Sequence, residues 1–273
     1  MKGKTKRNLI IFMVLAALLI GLALIAPYLT VNDPYATNSA AMKLRPCREY
    51  PFGTDKMGRC VFSRVMMGAR TSIFCSLLLV AITFVTGTIL GVFCGYYGGI
   101  ADTVIMRLAD ILLAFPQMVL AIAVAGILGG SMVNAMIALG ISGWTVYARL
   151  AKSQVLMLKE EEFIKAAKMG GCSDLYIMMF HILPNIGGPL IVNAAMQIGS
   201  TMMGFAGLSF LGLGVQLPKA EWGSMINEAR GYLQLAPWAV LFPGAAIILT
   251  VMIFNYLGDA VRDYLDVEGQ RNE

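Results

Sequence analysis

The sequence predicts an all-α integral membrane protein with six transmembrane helices. Three observations carry that expectation. Of 273 residues, 58% are hydrophobic and only 14% charged, and the mean hydropathy is +0.72. Apolar runs of the ~20 residues needed to cross a hydrocarbon core also recur along the whole chain. They fall at 9–28, 73–97, 104–128, 132–155, 186–212 and 238–257.

The first run follows Lys2, Lys4, Lys6 and Arg7. It is longer than the apolar part of a signal peptide, and Pro27 after Ala26 suits cleavage poorly, so 1–28 is expected to be an uncleaved anchor helix. With the amino terminus inside, six crossings place both termini and the 156–185 loop in the cytoplasm, and 29–72 and 213–237 outside. On that arrangement twelve of the Lys and Arg lie inside and nine outside. The amino terminus and the 149–168 cluster support the orientation, whereas Arg45, Arg48, Arg59, Arg64 and Arg70 count against it. The expected division is an anchor helix 1–28, an extracytoplasmic segment 29–72, a five-helix core 73–257 that includes the 156–185 loop, and a cytoplasmic tail 258–273.

The net charge of +5 follows from topology and gives no basic face for nucleic acid. The cysteines at 47, 60, 75, 94 and 172 form no C-x-x-C, and His181 is the one histidine, so no metal site is expected. Cys47 and Cys60 share the outer segment and are expected as free thiols, or as a pair in an oxidising compartment.

The second run carries Gly87, Gly91, Gly95 and Gly99, which gives one helix side bare of side chains and lets another helix approach closely. Where the third begins, Arg107 and Asp110 stand three apart and can neutralise each other, as can Asp259 and Arg262 where the last run ends. Two outer stretches are unusually polar: "FGTDKMGRCVFSRVMMGARTS" at 52–72 and "LPKAEWGSMINEARGYL" at 217–233. In the first, Val61, Val65, Met66 and Ala69 share a helical face, with Arg59, Ser63 and Arg64 off it. A surface-lying helix and a solvated loop both fit.

The loop "EFIKAAKMGGCSDLYIMMFHILPN" at 162–185 interrupts the apolar pattern. Residues 159–168 are strong helix formers, with Glu160, Glu161 and Glu162 at the start and Lys165 and Lys168 near the end, matching the helix dipole. The face at 163, 166, 167 and 170 is Phe, Ala, Ala and Gly, one ring beside a flat surface, the shape of a helix that slots into another protein's groove. Gly171 can end this helix in a tight turn. Ser173 or Asp174 can cap a second one, Pro184 should stop it, and Asn185 can cap the next span.

Ala166, Ala167, Gly171, His181, Leu183 and Pro184 together resemble the coupling loop of ABC-transporter inner-membrane permeases. The segments "FGTDKMGRCVFSR", "MRLADILLAFP", "SFLGLGV", "EWGSMINEAR" and "FNYLGDAVRDYLD" extend the resemblance over about 52–266, to the peptide/nickel branch. "WTVYARLAKS", "AGLSFLGLG" and "KAEWGSMINEAR", with the short chain, look most like its nickel-type second permease. The chain departs from the pattern at Lys165, where glutamate is usual, and at Cys60, where aspartate is common.

The resemblance implies a type I importer permease fold in a bacterial or archaeal inner membrane, with lipid around it. Partners would be a second related permease, two ATPase subunits and an extracytoplasmic binding protein. This chain would hold no cofactor and perform no catalysis; ATP and Mg would sit in the ATPase subunits. Glu162, Phe163, Lys165, Ala166, Ala167 and Gly171 would dock on an ATPase, and the outer segments, with Asp55, Arg59, Glu221, Trp222 and Arg230, would meet the binding protein. Nickel or a nickel chelate is the expected cargo, with a dipeptide or oligopeptide importer of the same family as the alternative.

Other classes fit less well. A serine protease dyad of Ser209 and His181 would span 28 residues of one helix, about 42 Å at helical rise. Gly3-Lys4-Thr5 lacks the upstream glycine and strand of a phosphate loop. An ion-coupled secondary transporter would place ionisable groups at mid-membrane, and none of the six runs has a central acid.

Overall fold

The structure, a computed structural model, describes residues 2–269. Within these residues ten α-helices follow one another: α1 (Lys2–Leu29), α2 (Val61–Tyr97), α3 (Gly99–Leu113), α4 (Gln117–Leu128), α5 (Met132–Leu158), α6 (Glu162–Met169), α7 (Asp174–Tyr176), α8 (Leu183–Phe210), α9 (Trp222–Ala229) and α10 (Trp238–Gly269). Among the described residues the extended backbone is confined to one isolated bridge, Thr54 with Cys60.

Among the described residues, four stretches are individually long and apolar enough to cross a membrane: Lys4–Leu29, Val61–Tyr97, Asp174–Phe210 and Trp238–Leu265. α3 and α4 pass that test only as a pair, bent by 91° at their junction. The bend corrects the continuous helix expected over 104–128. Pro116 has no N–H to give the preceding turn and drives Phe115 away from helical geometry, so one run becomes two arms. α5, at 27 residues, is about 40 Å long and carries Asn134, Arg149, Lys152 and Gln154 together with several hydroxyl side chains.

α2 is the central element and packs on α1, α5, α8 and α10. Its tightest neighbour is α5, and the glycines explain why. A Cβ built at Gly87 would stand 2.7 Å from the Tyr147 Cβ, one at Gly91 2.7 Å from the Ala151 Cβ, and one at Gly95 2.8 Å from the Val155 Cβ. The rising order of these partners makes α2 and α5 parallel, and α3 with α4 supplies the connection between them. Gly99 does not join this seam. Gly98 and Gly99 have φ of +65° and +72°, which turns the chain out of α2 after Tyr97 and leaves nothing within 4 Å of a Cβ at 99.

Two further boundaries differ from expectation. α2 starts at Val61, so residues 61–72 are its first turns, and no break separates 29–72 from the core at 73. α10 likewise passes 258 without interruption to Gly269, while Arg271 and the end of the expected tail lie outside the described residues. Pro184 also fails to stop a helix. A wide π turn over Ile177–Ile182 precedes it, with the Leu183 N–H donating to the Met178 carbonyl, so the helical path reaches Pro184 already deformed. Asn185 does not cap anything there; its side-chain amide donates to the His181 carbonyl at 2.6 Å.

The expected Arg107–Asp110 pair is replaced by cross-helix pairs. Asp110 binds Arg149, and Asp102 binds Lys152 at 2.5 Å, both tying α3 to α5. Arg107 is exposed and makes no ion pair among the described residues. A local i,i+3 pair contributes only about 0.2–0.5 kcal/mol, which a well-placed neighbouring helix readily outcompetes.

Candidate functional site

At one end of the bundle α6 stands off the core on a single anchor. Ile164 is buried in one cluster with Tyr96, Val155, Ile177 and Ile182, and Ala167 packs on the edge of that cluster. Phe163, Ala166, Met169 and Gly170 face outward, with Met169 84% exposed. Glu162 lies in the first turn and Lys168 in the last. Lys165 reaches back to Glu160 at 3.3 Å, an exposed pair worth little on its own. Gly171 has φ +81°, the Cys172 N–H donates to the Ala167 carbonyl and the Gly171 N–H to that of Lys168, both at 3.1 Å. This is a Schellman end, which needs the left-handed residue at that position. Beyond it the Ser173 hydroxyl accepts from the Tyr176 N–H, and Leu175, Met179 and Phe180 extend the exposed apolar surface.

The opposite end is closed by α9 over the chain that precedes α2. Four of the five residues expected on an exposed docking surface are inside: Asp55, Arg59, Glu221 and Trp222 are buried, and only Arg230 is exposed. Arg59 donates to Asp55 at 2.6 Å and to Glu228 at 2.8 Å. Arg64 donates to Glu228 at 3.1 Å and to the carbonyls of Pro34 and Pro218 at 3.3 Å. Two cations and two anions therefore balance out of water, the condition under which buried charge is tolerated. Burial opposes the Arg59 charge, but Asp55 and Glu228 together hold its pKa above the usual value. Arg59, Ser63 and Arg64 thus face inward, opposite to the side on which the helical-face count placed them.

Glu221 caps α9, accepting from the N–H groups of Gly223 at 2.8 Å and Ser224 at 2.7 Å, and takes a bond from the Ser72 hydroxyl on α2. Trp222 donates its indole N–H to the Val65 carbonyl at 2.9 Å. Burial raises the Glu221 pKa despite those donors. A carboxyl with a folded pKa above its unfolded value contributes stability that is full below the unfolded value and is lost as pH rises through the folded one. Glu221→Gln removes this titration. The stability difference between parent and variant should therefore drift against the parent as pH rises through and above the carboxylate range. Parallel thermal-unfolding curves for the two proteins across that range would count against it.

Between the ends, α2, α4, α5 and α8 line a half-open cavity of about 410 Å³. Its polar lining is Thr83, Gln117, Tyr147, Gln197, Ser200 and Thr201, with Leu79, Leu139, Met118 and Met203 among the apolar walls; no carboxylate, ammonium, guanidinium or imidazole is among the lining groups. Among the described residues no group of three or more His, Cys, Asp or Glu is placed to hold a metal ion. All five cysteines are free, with Cys47 exposed and Cys60 buried. Ser209 and His181 belong to opposite ends of one continuous helical path, and the buried Ser209 hydroxyl accepts from the Val215 N–H, so the two form no dyad.

Residues 87–267 match the family described as "Binding-protein-dependent transport system inner membrane component". The chain belongs to this family. It is 43% identical over 263 residues to the dipeptide transport system permease protein DppC of Alkalihalophilus pseudofirmus, covering 96% of this chain and 86% of that one. It is 43% identical to the probable D,D-dipeptide transport system permease protein DdpC of Escherichia coli, covering 93% and 85%. Against the glutathione transport system permease protein GsiD of Pectobacterium atrosepticum the identity is 44%, covering 81% and 73%. Among solved structures, the inward-facing MetNI methionine ABC transporter shares the fold, with a TM-score of 0.60 at 15% identity over 74% of this chain and 97% of that one. The chain is a multi-pass inner-membrane permease subunit of an ABC importer.

Proposed function

We propose that this chain is one of two related permeases in a binding-protein-dependent importer of small peptides. The identity to a dipeptide permease over nearly the whole length carries the cargo class. Nickel, toward which the sequence leaned, is the weaker reading. The relatives carry dipeptide and glutathione in their names, and the neutral cavity has none of the carboxylate or imidazole groups a hard or borderline cation prefers. Uptake by membrane vesicles supplied with ATP and the cognate binding protein tests this. Labelled di- and tripeptides should accumulate and compete with one another. Accumulation of nickel unaffected by a peptide excess would overturn the assignment.

In this reading the α6 end is cytoplasmic and α6 docks in a cleft of an ATPase subunit, where ATP and Mg are held. Its support is the exposed ring of Phe163 beside the flat Ala166 and Gly170, on a helix anchored by one buried side chain. The binding protein then meets the α9 end, where Arg230 is the exposed member of the expected set. Ala166 is a cleaner probe than Ala167, because Ala167 already packs inside this chain. Overpacking a fitted contact costs roughly 1–3 kcal/mol. Ala166→Trp should therefore weaken ATPase binding by about ten-fold or more and leave the membrane part monodisperse. Full ATPase co-purification with full uptake would return α6 to an ordinary loop.

A further inference from the structure

The cavity between α2, α4, α5 and α8 contains a polar group that the fold leaves unsatisfied. Tyr147 is 1% exposed, lines the cavity, and its hydroxyl has no hydrogen-bond partner. Leaving such a group unpaired in a buried site is costly, and native chains keep one where something else completes it. The neighbouring polar groups are more open, with Gln117 and Ser200 exposed and Gln197 half-buried. Gln117, just past the Pro116 bend, makes no side-chain hydrogen bond among the described residues. The Gln197 amide oxygen accepts from the Ser200 hydroxyl at 2.6 Å, which fixes the amide and leaves its two N–H donors free. Thr83, Tyr147 and Ser200 lie near the middles of α2, α5 and α8, so this polarity is at the middle of the bundle, away from both ends.

We propose that Gln117, Tyr147, Gln197 and Ser200 form a station for the peptide backbone midway along the transport path. The proposal rests on the peptide-importer reading and deepens it. Each carboxamide offers both a donor and an acceptor, the complement of a peptide N–H and C=O, and the Tyr147 hydroxyl supplies either. Backbone amides are common to all peptides, so such a station accepts many sequences. With no fixed charge in the lining, a passing zwitterion meets no ion pair strong enough to trap it. The apolar remainder includes Met118 and Met203, whose pliable side chains suit variable cargo. The volume sits at the low end of ligand pockets, about 300–1,000 Å³, which fits a small peptide and not a long one.

The test uses the assembled complex in proteoliposomes with its binding protein. Tyr147→Phe and Gln197→Leu should each lower dipeptide uptake by about five-fold, the factor carried by one net hydrogen bond, while ATP hydrolysis stimulated by the loaded binding protein stays near the parent level. A purely structural role would lower both activities together and would overturn the station. In a Cys47→Ser, Cys172→Ser background, which removes the two thiols that are not buried, Gln197→Cys should react with a hydrophilic thiol reagent and be protected during peptide turnover. Labelling that ignores peptide, or unchanged uptake in both variants, overturns the station while leaving the importer reading intact. A parent complex that takes up no peptide removes both.

Discussion

Glu228→Ala is expected to destabilise the protein by about 3–5 kcal/mol, because it strands two buried guanidinium groups on the single carboxylate of Asp55. Arg59 and Arg64 are 2% and 1% exposed, and Glu228 is bonded to both. Arg64 approaches Asp55 only at 3.8 Å, so without Glu228 its remaining partners are two carbonyls. The same contact ties α9 to the start of α2, and its loss should loosen the closed end of the bundle as well as lower its melting temperature. Glu160→Ala serves as the control: its pair with Lys165 is largely exposed, and such pairs contribute about 0–1 kcal/mol. Thermal unfolding in detergent reads both. Equal shifts for the two variants would show that the buried cluster carries no special weight.

That cluster was the part of the molecule least legible in the sequence. Arg59 and Arg64 stand more than 160 residues from Glu228, and arginines in a polar stretch between apolar runs read as solvated charge. The available signal was local: Asp55 and Arg59 are four apart, and Glu228 has no helical partner of its own. The finding also bears on the charge count. Two of the five arginines that opposed the expected orientation are neutralised inside the fold and present no free positive charge.

The helices were legible wherever hydropathy alone decides, and their ends were not. Pro116 was visible in "LLAFP", yet the apolar run on both sides hid the bend. Pro184 misled in the other direction, since a π turn absorbed the proline without breaking the path. The turn at Gly171 followed from local chemistry, because a Schellman end depends on a few adjacent residues. The cavity was missed for a physical reason. A search for ionisable groups in the apolar runs passes over Gln117 and Gln197, whose amides carry no charge to mark them.

Gly91→Leu is expected to have an effect as large as the loss of Glu228, through packing and not charge. A Cβ at 91 would overlap the Ala148 carbonyl and lie 2.7 Å from the Ala151 Cβ. Backbone cannot rotate away as a flexible side chain can, so α2 and α5 must separate. Overpacking costs typically 1–3 kcal/mol and more where neighbours cannot yield; in this seam Gly87 and Gly95, one turn to either side, would lose their close contacts with α5 as well. The polar cavity lies between the same two helices, so a seam opened at 91 should also disturb uptake. Gly126→Leu in α4 is the matched control, the same exchange in an apolar helix with nothing within 4 Å of the new Cβ. Yield of the monodisperse complex and its melting temperature should fall for the first variant and hold for the second. If Gly91→Leu behaves like Gly126→Leu, the bare side of α2 is not what brings α5 close, and the parallel pair must be held by the Asp102–Lys152 and Asp110–Arg149 bridges through α3 instead.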